Sequence, residues 1–185
     1  MSDPGHASPN AILDALEGCS VVSELVTQLP VPGSTLAVGG ASGSARTALV
    51  AALHRLTNRV LVVVTSDPAA ATAAAADLEA LLGETASALY PQREALPYES
   101  SEPHLEIGGL RVEAVEALFS GRTRLFVTTF RALQERAPVP DRLARLRLTL
   151  RVGQEHGFTE LVASLEKRGF ERVPLVEEVG QFAVR

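Results

Sequence analysis

Apolar and polar positions along the chain change period several times, and those changes outline its elements. Residues 11–29 place Ile12, Leu13, Leu16, Val21, Val22, Leu25, Val26 and Leu29 at helical spacing, which predicts one or two amphipathic helices interrupted near Gly18. A Pro30-Val31-Pro32-Gly33 turn leads into Leu36-Ala37-Val38, an expected first strand that runs through Gly39-Gly40 into a helix near residues 45–57. Residues 59–65 hold Val60-Leu61-Val62-Val63-Val64, a continuous run of the kind buried on both faces of a parallel sheet. Asp67 before Pro68 is a helix start signal, the Asp capping and the Pro in the first turn. The alanine-rich helix it opens closes at Leu81-Leu82-Gly83.

A short strand at 86–90 ends at Pro91, and an irregular stretch follows with carboxylates at Glu94, Glu99, Glu102 and Glu106. Residues 107–119 predict a helix with Val112, Val115, Leu118 and Phe119 on one face, ended by Gly121. Leu125-Phe126-Val127-Thr128-Thr129 is a further strand, and a short helix near 132–136 stops before Pro138 and Pro140. Strand and helix in alternation predict an α/β domain with a parallel sheet flanked by helices. Past residue 140 the pattern changes: 146–152 alternates, 159–168 is helical, and 170–176 and 181–185 read as strands around a turn at 177–180. The chain therefore divides into a flexible and helical N-terminus (1–24), a sheet domain (25–140) and the start of a small α+β domain (141–185). It ends inside its last expected strand and so reads as a fragment.

Composition narrows the functional classes. The chain is 46% hydrophobic but only 4% aromatic, so its core is expected to be built from Ala, Leu and Val. No apolar run approaches the ~18 residues of a membrane span, and no signal-peptide pattern is present. The single cysteine, Cys19, excludes an internal disulfide and fits a reducing cytoplasm. A net charge of −5 argues against holding nucleic acid by phosphate contacts alone. His6, His54, His104 and His156 are scattered without ligand spacing, so no metal is expected.

The glycine-rich stretch carries the candidate chemistry. Strand, small-residue loop and helix are the parts of a phosphate-binding loop, whose motif is G-x-x-x-x-G-K-[ST]. Over residues 40–47 the chain supplies Gly40 and Thr47, with Gly43 between, but has Ala45 for the second Gly and Arg46 for the Lys. Ala45 adds a Cβ where backbone must approach phosphate, and Arg46 presents a planar fork in place of a compact ammonium. Neither Val64-Thr65-Ser66-Asp67 nor Val127-Thr128-Thr129-Phe130 offers the strand-terminal acidic pair that holds Mg²⁺, so no catalytic residue is assigned. Ser42 misses the G-x-S-x-G elbow at its last position. In the last third, Arg142, Arg145, Arg147 and Arg151 suggest a solvated basic face, and Arg172 and Arg185 fall on adjacent strands as a candidate docking patch.

Three stretches resemble one family. Residues 90–99, Tyr-Pro-Gln-Arg-Glu-Ala-Leu-Pro-Tyr-Glu, are similar to F-P-x-W-E-T-L-P-Y-E with Arg93 for Trp. Residues 150–155 resemble L-x-V-G-x-E, and residues 169–185 resemble G-Y-x-R-V-x-x-V-x-x-x-G-x-F-A-x-R. These are motifs of the N-terminal UvrB-like region of bacterial transcription-repair coupling factors, and the resemblance runs from about residue 25 to the end. It implies a degenerate RecA-like domain that has lost its ATP site, followed by part of a domain that binds UvrA through arginines, here Arg172 and Arg185. It implies no cofactor for this segment. ATP, Mg²⁺, RNA polymerase and double-stranded DNA belong to the longer translocase, in the cytoplasm and off the membrane. A UvrB-like helicase fragment binding ATP at 40–47 is the rival reading, and a stand-alone nucleotide-binding enzyme the second. UvrB has a tyrosine-rich hairpin, whereas this chain has only Tyr90 and Tyr98.

Overall fold

The computed structural model describes residues 9–93, 105–137 and 147–184. Residues 1–8 of the expected flexible N-terminus, Glu94, Glu99, Glu102, Arg142, Arg145 and Arg185 lie outside the described residues. The element order is α1 (Pro9–Glu17), α2 (Ser20–Gln28), α3 (Ala45–Leu56), β1 (Leu61–Thr65), α4 (Pro68–Leu82), β2 (Ser87–Tyr90), α5 (Leu105–Phe119), β3 (Leu125–Thr129) and α6 (Phe130–Gln134). After them come α7 (Phe158–Lys167), β4 (Glu171–Arg172) and β5 (Gln181–Phe182).

β1, β3 and β2 form a parallel sheet in that order, with Leu61 and Ser87 both opposite Leu125. The α/β character read from the alternation is therefore present. α4 carries the chain from β1 past β3 to β2, packing on the face that holds Leu125, Val127, Leu61, Val63 and Leu89. Leu13 of α1, Ala51 of α3 and Ala71, Ala74 and Leu78 of α4 complete that core. α5 returns the chain to β3 and covers the other face, where Ala114 and Val115 meet Tyr90 and Phe126. Asp67 caps α4 as its position before Pro68 predicts, accepting the Ala70 N–H at 2.8 Å. Gly83 then ends the helix at φ +98°, a backbone angle that only glycine adopts cheaply.

Four expectations need correction. Residues 34–39 join no ladder, and only Leu36 is even half-buried. β1 pairs with β3 alone, so this apolar run meets water and α2 instead of a strand partner. β1 is not buried on both faces: Val62 and Val64 stay 50% and 46% exposed because α5 packs over β2 and β3 and stops short of the edge strand. The buried stripe of α5 is Arg111, Ala114, Val115 and Ala117, and Phe119 points to solvent at 69% exposure. Finally, residues 147–152 form no strand, and β4 and β5 are two-residue strands paired in parallel, not arms of a hairpin. Glu171 N–H donates to the Gly180 carbonyl and Val173 N–H to the Phe182 carbonyl, each at 2.9 Å. Arg147, from the expected basic strip, forms an ion pair with Glu116 of α5, while Arg151 is exposed.

Candidate functional site

The glycine-rich loop is closed on itself. Gly40 and Gly43 take φ of +85° and +55°, which turn the chain into α3 without a Cβ penalty. Ala45, in the second glycine's place, is already helical. Its N–H donates to the Ser42 carbonyl and the Arg46 N–H to the Gly43 carbonyl, both at 3.2 Å. Those are amides that a phosphate cradle would leave pointing outwards. Arg46 Nε donates back to the Ala41 carbonyl at 3.0 Å, bracing the loop. The Thr47 hydroxyl, on a residue only 8% exposed, lies 2.7 Å from Asp77 Oδ2 and 2.9 Å from the Ser44 carbonyl. A hydroxyl has one proton, so this one is shared between a carboxylate and a carbonyl inside the protein.

Beside the loop runs a crevice of about 430 Å³ lined by Leu16, Val21, Leu25, Leu36, Val38 and Leu49. Its polar rim is Glu24 with Gln28, whose Nε2 donates to the Glu24 carboxylate at 2.9 Å. Among the described residues no cationic side chain lines it, and an apolar cleft with a carboxylate at its mouth does not fit a nucleoside triphosphate. A second cavity, of about 530 Å³, opens at the far end of α3 between Leu13, His54, Arg55 and Leu81. Burial, with a smaller contribution from Arg124, holds the His54 imidazole below its ordinary pKa and so favours the neutral ring.

Sequence reasoning missed a densely bonded polar cluster at the carboxyl ends of β2 and β3. Arg111 is 3% exposed. Its guanidinium donates to Glu135 Oε2 and to the Pro91 carbonyl, each at 2.7 Å, and to the Tyr90 hydroxyl. Its Cζ sits 4.1 Å from the Tyr90 ring centroid, within cation–π range. Glu135 also accepts the Arg93 N–H at 3.2 Å, and Gln92 accepts the Thr129 hydroxyl at 3.0 Å. The cluster thus ties the exit of β2 to α5 and α6. Burial raises the Tyr90 pKa, opposed by the charge of Arg111. A charged residue three and four positions before Ala114 and Val115, on the helix's buried stripe, was the available signal.

Of the arginines assigned to docking, Arg172 lies exposed on β4, opposite Phe182 of β5, and has no ion-pair partner among the described residues. No cluster of His, Cys, Asp and Glu able to hold a metal occurs among the described residues. Nor is any helix among them long and apolar enough to cross a membrane.

No family model matches the chain. Among curated proteins it is 34% identical over 160 residues to a transcription-repair-coupling factor of Myxococcus xanthus, covering 83% of this chain and 13% of that protein. The protein of the same name from Mycobacterium tuberculosis (strain CDC 1551 / Oshkosh) is 35% identical over 153 residues, or 78% of this chain and 12% of its own length. That of Bacillus subtilis (strain 168) is 26% identical over 148 residues, or 80% and 13%. Because these matches cover most of this chain and a small share of each relative, the chain belongs with the transcription-repair-coupling factors and spans about an eighth of their length.

Proposed function

We propose that this chain is the UvrA-recruiting part of a transcription-repair coupling factor, acting by binding and not by catalysis. The observation that carries the reading is an exposed Arg172 on β4, without an ion-pair partner among the described residues, in a chain 34% identical to a protein of that name. An exposed arginine fork can meet a partner's carboxylate, and such charge-assisted contacts are the stronger hydrogen bonds. Arg185 would serve the same contact. The α/β sheet is then a degenerate RecA-like domain whose loop, from Gly40 through Gly43 to Arg46 and Thr47, has exchanged phosphate contacts for internal ones. In the longer protein this module would bring UvrA to stalled RNA polymerase during nucleotide excision repair. ATP, Mg²⁺ and double-stranded DNA would engage a separate translocase.

Calorimetric titration of purified UvrA into the chain tests this. Arg172→Ala and Arg185→Ala should each weaken binding by about 1–3 kcal/mol, the usual loss for a charge-assisted contact. A folded wild type that does not bind UvrA would overturn the reading. Measurable ATP affinity, lost on Arg46→Ala, would support a nucleotide-binding helicase fragment in its place.

A further inference from the structure

We draw no further inference here: the strongest candidate, the surface patch of exposed Arg93, Phe130, Arg131 and Arg136 where Gln92 and Glu135 tie the exit of β2 to α6, carries nothing, because nothing in the structure shows what covers it.

Discussion

Replacing Glu135 with Gln probes the buried arginine at the carboxyl end of the sheet. The Arg111 side chain is 4% exposed and that of Glu135 19%, with the two charges 2.7 Å apart. Gln keeps the volume, and its oxygen still accepts from Arg111 and from the Arg93 N–H, but the countercharge is gone. The guanidinium is left with the Pro91 carbonyl and with the hydroxyl and ring of Tyr90. Breaking a fully buried pair by removing one partner costs about 3–5 kcal/mol. The partial exposure of Glu135 and the retained acceptor reduce this, so the expected loss is about 2 kcal/mol.

Urea unfolding reads such a loss directly. With a slope of about 1–3 kcal/mol/M, the midpoint should fall by roughly 1 M at unchanged slope. Arg111→Met should cost a similar amount, since it forfeits the cation–π contact, worth about 1 kcal/mol, and strands the Pro91 carbonyl. Combining Arg111→Met with Glu135→Leu replaces both charges by apolar groups and should cost less than the sum of Arg111→Met and Glu135→Leu made singly, with a coupling of about 1 kcal/mol or more. A midpoint unmoved by Glu135→Gln, or strict additivity in the double variant, would mean that the guanidinium is solvated and holds nothing together.

Two pH effects follow from other sites. The Asp67 carboxyl is held below the usual carboxylate range, mainly by the Ala70 N–H and next by the Ser66 hydroxyl. A depressed folded pKa stabilises above the unfolded value near ~3.9 and is lost as pH falls through the folded one. Melting temperatures of wild type and Asp67→Ala should therefore differ at neutral pH and converge in acid, and a gap that persists at the lowest pH would exclude the cap as its source. Tyr90 has the opposite sign: burial raises its pKa, so its contribution is complete below about 10 and is lost as pH rises through the folded value. Wild type should lose stability relative to Tyr90→Phe in strong alkali, and absorbance should show one of the two tyrosines ionising late.

Elements whose signal is local were legible. The break near Gly18 separates α1 from α2, and Asp67-Pro68 and Gly83 bound α4 as read. The strands at 61–65, 87–90 and 125–129 lie where the apolar runs placed them, because each finds a partner in one sheet. Residues 34–39 also hold an apolar run, Leu36-Ala37-Val38, but no strand pairs with it, and composition alone cannot supply a partner. Side-chain placement was less legible. Asp77 against Thr47 and Glu135 against Arg111 join residues 30 and 24 positions apart, beyond what periodicity reports. The parallel pairing of β4 and β5 was hidden for a related reason: a short loop suggests a hairpin unless its internal bonds, here those of Gln181, are known.

The loop between residues 40 and 47 has its polar groups turned inwards. Architecture there depends on the positive φ of Gly40 and Gly43 and on Ala51 and Ala52 of α3, both fully buried. Phosphate binding depends instead on amides left unbonded, a free ammonium and a free hydroxyl. Ala45 lengthens the helix by taking up a loop carbonyl, Arg46 reaches back to Ala41, and Thr47 turns to Asp77. Each of these contacts satisfies a polar group within the protein, so the loop carries no unmet hydrogen bond at these three residues. Arg172, by contrast, lies exposed on β4, in the two-stranded sheet apart from the β1–β3–β2 core.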